Sequence, residues 1–310
     1  MILSVSRRCD IPCFYADWFF RRMQEGFVLV RNSRNPHLLS RISLHREVLD
    51  GIVFWSKNPL PMRPYLSRLE EIPYYIQFTL TPYGKDAEPG LPLKNNVLIP
   101  GFQELSAQIG AKRMIWRYDP IFLNATYTLE YHCRYFHQMA VRLSGYTDTC
   151  VISFLDTYRN TQRNQKRLSM RAPNETEIGI LAESFEHSAS KAGLSLFTCA
   201  EQIDLSVYGI GHAACIDKLR LEQIGQVPLM VKKDRYQRDQ CRCVESVDIG
   251  EYNSCLNGCL YCYANYAKDL CRHKCRMHQV DSSLLIGAPG EQDRIVDRNL
   301  VSFRKEQLEF

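Results

Sequence analysis

Three closely spaced cysteines are the chemically most distinctive feature of the sequence. They form a C-x-x-x-C-x-x-C pattern in the segment Cys255-Leu-Asn-Gly-Cys259-Leu-Tyr-Cys262. Short spacings on one loop bring several thiolates to one inorganic core at low entropic cost. Gly258 can adopt a positive φ, which keeps the backbone close to the sulfurs. The pattern therefore predicts an iron–sulfur cluster, and three thiolates would leave one iron of a [4Fe–4S] cluster open to a small molecule.

Four further cysteines could form a second site. Cys241 and Cys243 are a tight pair, and Cys199 and Cys215 each follow an apolar segment. Two cysteines at i and i+2 on an extended segment point their thiols to one side. Because crowded thiolates repel each other, a cation at their centre would stabilise the arrangement. We expect the four side chains to converge on one metal ion or cluster, with iron and zinc both open. The alternative is that Cys199 and Cys215 are buried as small hydrophobic residues.

Six polar residues are candidates for catalysis or substrate binding, because each follows a predicted β-strand. They are Arg8, Asp10, Lys57, Arg117, Asp119 and Glu201. Arginine can clamp a carboxylate or phosphate with two hydrogen bonds, so the group suits a polar or anionic substrate. For Arg117 and Asp119, a purely structural buried ion pair is an equal alternative. The sequence has no P-loop, Gly-x-Gly-x-x-Gly, Gly-x-Ser-x-Gly or HExxH motif, so ordinary nucleotide-binding, hydrolase and zinc-protease interpretations lack support.

The elements that must position these residues alternate along the first two hundred positions. Strand-like runs rich in Val, Ile, Phe or Tyr occur at residues 2–6, 51–56, 74–81, 113–118, 150–155 and 194–199, with weaker runs at 27–30 and 205–210. Helical patterns occur at residues 15–25, 65–71, 102–109, 129–143 and 175–192. This alternation predicts a parallel sheet with crossover helices.

The same elements could close into a (β/α) TIM-like barrel, and an open doubly wound sheet is the alternative. Polar residues just past nearly every predicted strand favour the barrel, because that face of a barrel carries the active site. We therefore expect a barrel-like domain at residues 1–211, a cysteine-rich segment packed on its mouth at 212–280, and a polar C-terminal tail at 281–310. The middle segment holds eight of the thirteen cysteines.

The composition and charge of the chain limit the classes of protein to which it can belong. The 310 residues are 45% hydrophobic, and the net charge of +5 is a mild excess that does not argue for a nucleic-acid partner. No apolar run of about 18 residues predicts a membrane-spanning helix. The first charges follow a short apolar run, whereas in a signal peptide they precede it. The sequence thus predicts a cytoplasmic protein, whose thiols stay reduced and whose thirteen cysteines indicate metal or cluster ligation.

The spacing of Cys255, Cys259 and Cys262 resembles the signature of the radical S-adenosylmethionine enzymes. The run Tyr261-Cys262-Tyr263-Ala264-Asn265 is similar to the loop of the branch that contains spore photoproduct lyase. In that superfamily the open iron chelates the methionine moiety, and reductive cleavage gives a 5′-deoxyadenosyl radical that removes a hydrogen atom from the substrate. The resemblance implies that the three cysteines hold the cluster and that Tyr261 lies against the adenine. It also implies an electron donor such as flavodoxin or ferredoxin, and a small-molecule or modified-polymer substrate.

A longer set of motifs resembles a bacterial family of unknown function with a radical-SAM-like C-terminus. The motifs are Arg7-Arg-Cys-Asp-Ile-Pro, Phe54-Trp-Ser-Lys-Asn-Pro, Gln77-Phe-Thr-Leu-Thr, Ile115-Trp-Arg-Tyr-Asp-Pro, Ser153-Phe-Leu-Asp, Thr198-Cys-Ala-Glu, Gln237-Arg-Asp-Gln-Cys-Arg-Cys and Asp248-Ile-Gly-Glu-Tyr. The resemblance runs from residue 1 to about residue 267, and it implies no activity.

Two features differ from the radical enzymes. Their cluster loop follows the first barrel strand, whereas here it begins at Cys255 and only 48 residues follow Cys262. The loop would therefore have to fold back over the mouth of a barrel already built, as in a permuted order. The sequence also has no Gly-Gly-Glu-like segment to hold the methionine amine. Two other functions remain open, an electron-transfer or redox-sensing protein with fully thiolate-ligated clusters, and a structural zinc protein.

Overall fold

The computed structural model describes residues 1–69 and 71–304. These residues form the strands β1 (Ile2–Val5), β2 (Phe27–Arg31), β3 (Leu38–Ser43), β4 (Gly51–Ser56), β5 (Tyr74–Thr79), β6 (Met114–Ile121), β7 (Thr149–Phe154), β8 (Ser195–Thr198), β9 (Gly211–His212), β10 (Val247–Asp248) and β11 (Arg294–Asp297). The α-helices are α1 (Ile11–Phe14), α2 (Ala16–Glu25), α3 (Ile99–Ile109), α4 (Leu129–Leu143), α5 (Gln162–Arg167), α6 (Glu175–Lys191), α7 (Lys218–Gly225) and α8 (Lys268–Arg276).

Eight strands form one sheet in the order β10-β1-β4-β5-β6-β7-β8-β9, and every neighbouring pair is parallel. Strand β10 pairs with β1, with Leu3 opposite Val247, although it comes near the other end of the chain. The carboxyl ends of all eight strands consequently lie at one edge of the sheet. A second sheet has the order β11-β3-β2, in which β2 and β3 are antiparallel and β11 and β3 are parallel.

The two faces of the large sheet have different coverings, because alternate residues of a strand point to opposite faces. Side chains on one face pack against α2, α3, α4 and α6, and these strand residues include Leu3, Ile52, Phe54, Ile76, Trp116 and Ile152. Side chains on the other face form a smaller cluster that contains Ile2, Val53, Tyr75, Ile115 and Val151. This cluster includes Leu221 of α7 and the thiol-bearing residues Cys215, Cys241 and Cys243. One face therefore carries the main hydrophobic core, and the other faces the cysteine-rich half of the chain.

The parallel α/β sheet predicted from the sequence is confirmed. All six predicted strands are present, in mutually parallel pairing. The order ends at β9 and β10, and the strand pairings of the described residues do not join these two strands, so closure into a barrel is not shown. No helix within the described ranges is both long enough and apolar enough to cross a membrane.

Some element predictions differ from the structure. The weak strand at 27–30 is present as β2, but it lies in the three-stranded sheet. The strand predicted at 205–210 is wrong, because Ser206–Tyr208 is a 3₁₀ helix. The carboxylate of Asp204 accepts a 2.9 Å hydrogen bond from Ser206 N, which starts this turn, and Gly209 ends it with a φ of 79°. The helix predicted at 65–71 is a 3₁₀ helix, Leu60–Leu69, and residue 70 lies outside the described residues.

The boundaries of the three predicted segments stay predictions. Within the predicted polar tail, β11 pairs with β3, while residues 305–310 lie outside the part of the chain that the structure describes.

Candidate functional site

A large cavity lies at the carboxyl edge of the parallel sheet. Its volume is about 1250 Å³. Every candidate residue identified in the sequence lines it: Arg8, Asp10, Lys57, Arg117, Asp119, Cys199, Glu201, Cys215, Cys241, Cys243, Cys255, Cys259, Tyr261 and Cys262. Residues from positions 8 to 262 thus meet around one space, because most of them follow parallel strands that end at the same edge.

The three-cysteine motif lies on a loop that follows β10, which we call the cysteine loop (residues 253–265). The side chain of Asn265 shapes this loop, since its Oδ1 accepts 2.9 Å hydrogen bonds from the backbone amides of Ser254 and Cys255. Its Nδ2 donates to the carbonyl of Arg8 at 2.9 Å. Gly258 has a φ of 66°, in the left-handed region that glycine adopts without steric cost. The loop is therefore held internally and is also tied to the segment after β1.

The thiols of the cysteine loop are close enough to influence one another. Cys255 and Cys259 are buried, and Cys262 is partly exposed to the cavity. Burial raises the pKa of the Cys255 thiol, and the charges of Cys9, Asp10, Cys259 and Cys262 raise it further. Three thiolates in this position would repel each other unless a cation lay between them. All thirteen cysteines of the chain are free thiols, and a metal centre between the three thiols of the cysteine loop stays a prediction.

Tyr261 connects the cysteine loop to a buried ion-pair network that the sequence did not reveal. Its hydroxyl donates to Glu88, which is 1% exposed and also accepts from Lys57 Nζ and Thr81 Oγ1, both at 2.8 Å. Lys94 Nζ forms an ion pair with the other carboxylate oxygen of Glu88. Burial alone would raise the pKa of Glu88, but the two lysines outweigh it and hold that pKa at about 2. Glu88 is therefore a carboxylate at neutral pH, and it fixes the hydroxyl of Tyr261.

Asp10 is an anchor between three segments. Its Oδ1 accepts from Ser56 Oγ at 2.6 Å, and its Oδ2 accepts from Lys57 N and from Asn257 Nδ2, both at 2.9 Å. Burial raises the pKa of Asp10, although these hydrogen bonds favour the charged form. Because both oxygens are already used, the geometry gives Asp10 a positioning role at the end of β1.

The remaining polar candidates lie around the same cavity. Arg117 is buried and pairs with Asp119, with Nε 2.9 Å from the carboxylate. Arg8 lies 3.8 Å from Asp248 and over the ring of Tyr252. Glu201 accepts a 2.9 Å hydrogen bond from Phe154 N, and burial raises its pKa to about 7. Arg8 and Lys57 thus place two cationic groups on the cavity wall, and Lys57 is paired with Glu88.

The four cysteines predicted to form a second site, here called the four-thiol group (Cys199, Cys215, Cys241 and Cys243), are brought together. Cys199 Sγ lies 2.9 Å from Cys215 Sγ. The thiols of Cys215 and Cys241 lie near enough to Cys243 to lower the pKa of its thiol. The alternative for Cys215 also has support, since this residue is buried within the smaller hydrophobic cluster.

Within residues 1–69 and 71–304, no group of three or more His, Cys, Asp or Glu side chains is arranged so that it could hold a metal ion. The 2.9 Å contact between Cys199 and Cys215 is also shorter than the separation of about 3.8 Å that two thiolates on one tetrahedral zinc would have. The cysteines therefore share a cavity and mutual contacts, and metal binding stays a prediction for both sets.

Comparison with protein families identifies the chain at the level of a domain. A family model described as "Domain of unknown function (DUF1848)" matches residues 2–264. The chain belongs to this family. The DUF1848 match contains all fourteen candidate residues and ends two positions after Cys262, so the three cysteines of the cysteine loop and the four-thiol group all lie within the DUF1848 domain. No curated protein and no solved structure matches the chain.

Proposed function

We propose that the protein is an iron–sulfur enzyme of the radical S-adenosylmethionine type, in which Cys255, Cys259 and Cys262 hold a [4Fe–4S] cluster. The observation that supports this most is the position of the cysteine loop. In the radical enzymes the cluster loop follows the first strand of the barrel, and here it follows β10, an edge strand of the sheet that pairs with β1. A cluster loop in this place is compatible with a permuted order of the same elements.

The same proposal includes an incomplete (β/α) barrel. The crossover helices α2, α3, α4 and α6 all pack against one face of the sheet, whereas a doubly wound sheet has its crossover helices on both faces. The cluster on the opposite face contains Leu221 of α7 and Cys241 and Cys243 of the segment that leads to β10, with Phe303 packed against it. This distribution favours a curved sheet with an inner and an outer face, open between β9 and β10.

The cavity has the size and the chemistry that such an enzyme needs. Its volume of about 1250 Å³ exceeds the roughly 300–1,000 Å³ of typical ligand pockets, so a cluster, a nucleoside-containing co-substrate and a further molecule could share it. When bound, the cluster would supply the electron that cleaves S-adenosylmethionine. The ring of Tyr261 lines the cavity, its hydroxyl is fixed by Glu88, and its centre lies 5.3 Å from Lys57 Nζ. Lys57 and Arg8 would orient a polar or anionic substrate.

The decisive experiment is anaerobic reconstitution with iron and sulfide, followed by dithionite and S-adenosylmethionine. We expect 5′-deoxyadenosine and methionine to form. The variant Cys255→Ala/Cys259→Ala/Cys262→Ala should form neither product, whereas Cys13→Ala/Cys133→Ala, which removes two thiols that do not line the cavity, should behave as the natural chain. A fully reconstituted cluster that yields neither product would contradict the proposal.

One observation favours a second candidate, a redox protein whose cluster is ligated by four thiolates. Cys9 is buried, lines the cavity and lies close enough to Cys255 for its charge to raise the pKa of that thiol. Cys9 could therefore supply the fourth ligand and close the cluster to S-adenosylmethionine. The electron paramagnetic resonance signal of the reduced cluster separates the two functions. S-adenosylmethionine should perturb the signal if one iron is open, and should leave it unchanged if Cys9 is a ligand.

A further inference from the structure

The four-thiol group lies at the opposite end of the sheet from the cysteine loop. Cys199 directly follows β8 and Cys215 follows β9, whereas the cysteine loop follows β10 at the start of the strand order. The segment that carries Cys241 and Cys243 reaches this end because Val244 N donates to Ile216 O at 3.2 Å. Three separate parts of the chain therefore contribute thiols to one place in the cavity wall.

The backbone fixes these thiols from both sides. The carbonyl of Cys215 accepts hydrogen bonds from Tyr75 Oη at 2.6 Å and from Gln77 Nε2 at 3.0 Å, both on β5. The amide of Ile216 donates to Cys243 Sγ at 3.3 Å. A sulfur that accepts a backbone N–H is typical of a thiolate ligand, since the hydrogen bond stabilises negative charge on it. The side chains are therefore held in place by the fold as well as by one another.

Two guanidinium groups adjoin the four-thiol group. Arg117 Nη1 donates to Cys215 Sγ at 2.8 Å, and its guanidinium lies 5.4 Å from the centre of the Trp55 ring. Arg7 lies 5.3 Å from that same ring. The Nη2 of Arg7 is buried and has no hydrogen-bond partner among the residues that the structure describes. A buried guanidinium nitrogen without a partner is costly, and an anionic centre beside it would offset that cost.

We propose that Cys199, Cys215, Cys241 and Cys243 bind a single thiophilic divalent metal ion, Zn²⁺ or Fe²⁺, as a tetrathiolate site. Binding replaces the thiol protons by bonds to the metal and gives a centre with a net charge of −2. Arg7 and Arg117 offset part of this charge, since Arg117 is also paired with Asp119. The inference goes beyond the proposed function, because it uses none of the residues of the cysteine loop.

The contacts favour one metal ion over a polynuclear cluster. A single tetrahedral ion holds its thiolates about 3.8 Å apart, so Cys199 and Cys215 at 2.9 Å would have to separate by only about 1 Å. A four-iron cluster would place its whole inorganic core between the sulfurs and require a larger rearrangement.

Such a site would fix the path of the chain into the large sheet. Cys243 lies four positions before Val247, with which β10 begins. A metal that ties Cys241 and Cys243 to the ends of β8 and β9 would therefore hold the returning segment across the cavity before it pairs with β1. The site is thus a positioning device for β10 and for the loop that follows it.

The test starts from the full chain with Cys255→Ala/Cys259→Ala/Cys262→Ala, which cannot hold the proposed cluster in the cysteine loop. Purified without oxygen, this background variant should contain one equivalent of zinc or iron and no acid-labile sulfide. Adding Cys241→Ala/Cys243→Ala, or Cys199→Ala/Cys215→Ala, should remove that equivalent. Adding Cys13→Ala/Cys133→Ala instead should leave it in place. Elemental analysis identifies the metal. Because every arm lacks the three cysteines of the cysteine loop, a failure of the proposed function leaves the result unaffected.

Unchanged metal content in both double replacements would overturn the proposal, and so would several irons with sulfide in the background variant. Circular dichroism shows whether the replaced chains fold. If they do not fold, titration of the metal-free background variant with Co²⁺ decides the question. The absorption of tetrahedral Co²⁺ with four thiolate ligands, saturating at one equivalent, supports the site, and the absence of thiolate-to-cobalt bands overturns it.

Discussion

The side chain of Asn257 donates a 2.9 Å hydrogen bond to the carboxylate of Asp10, and this contact joins the cysteine loop to the end of β1. The same carboxylate accepts from Ser56 Oγ and Lys57 N, at the end of β4. The Asp10 side chain therefore connects β1, β4 and the cysteine loop through hydrogen bonds to one buried carboxylate.

Replacing Asp10 by alanine should destabilise the fold and loosen the cysteine loop together. It would leave several buried donors without an acceptor, each at a cost of roughly 1–3 kcal/mol, so we expect a loss of about 3 kcal/mol. Urea denaturation measures this loss, and iron content after reconstitution should fall in parallel. Asp239→Ala, at an exposed position, is the control and should change neither quantity. Full iron content in the Asp10 variant would show that the loop does not need this anchor.

Gly90 should be intolerant of a side chain, although it is far from the cysteines in sequence. A Cβ at this position would lie 2.6 Å from the carbonyl oxygen of Asn257 and 2.7 Å from that of Leu256. Because both neighbours are backbone atoms of the cysteine loop, Gly90→Ala must displace the loop. We expect reduced cluster incorporation, read from iron and sulfide content. Gly290→Ala is the matched control, since its nearest atom would be 4.0 Å away. Equal incorporation in the two variants would contradict this prediction.

The Glu88 network should make the protein sensitive to acid. The folded pKa of Glu88 is about 2, below its ordinary value of 4.5, so its contribution to stability is present above about pH 4.5 and is lost as the pH falls toward 2. The shift corresponds to about 3 kcal/mol. Glu88→Gln should be less stable than the natural chain at pH 7, because Lys57 and Lys94 would remain without their carboxylate. The variant should also lose less stability than the natural chain as the pH falls from 4.5 toward 2. Denaturant titrations of both proteins between pH 2 and pH 7 measure the difference, and parallel stability curves would argue against it.

Tyr261 allows the roles of its ring and its hydroxyl to be separated. Tyr261→Phe removes the hydrogen bond to Glu88 and should cost about 2 kcal/mol of stability, while retaining the aromatic face toward the cavity. If the ring packs against the adenine, Tyr261→Phe should retain most of the formation of 5′-deoxyadenosine, and Tyr261→Ala should lose most of it at equal iron content. Equal product formation by both variants would exclude a role for the ring.

The sequence predicted the part of the fold in which local pattern and tertiary structure agree. Helix α6 is an example, because Asn174 and Glu177 form a capping box at its start and Gly193 has a φ of 72° just past its end. The six long parallel strands were predictable for the same reason, since each is an apolar run with a polar residue after it. The parallel arrangement then placed those polar residues and the cysteines at one edge.

Other features have no local signal. Strand β10 is two residues long, Val247–Asp248, which is too short to show a period of two, and it exists because β1 offers an unpaired edge. Glu88 and Lys94 lie outside any motif, between β5 and α3, and only the fold shows that they meet Lys57 and Tyr261. Two isolated charges in a loop resemble ordinary surface residues, so no sequence pattern could have distinguished them.

The pairing of β1 with β10 has a consequence for biosynthesis. Leu3 leaves the ribosome 244 residues before its partner Val247, which at ordinary translation rates of about 5–20 residues per second is roughly 10 to 50 s. During that interval the nascent chain can assemble β1 with β4 to β8, but one side of β1 keeps its amide and carbonyl groups without a strand. A chaperone that shields such an edge would have a defined period in which to act. If the proposed cluster forms, iron and sulfide could meet the complete set of its three cysteines only after Cys262 has been made.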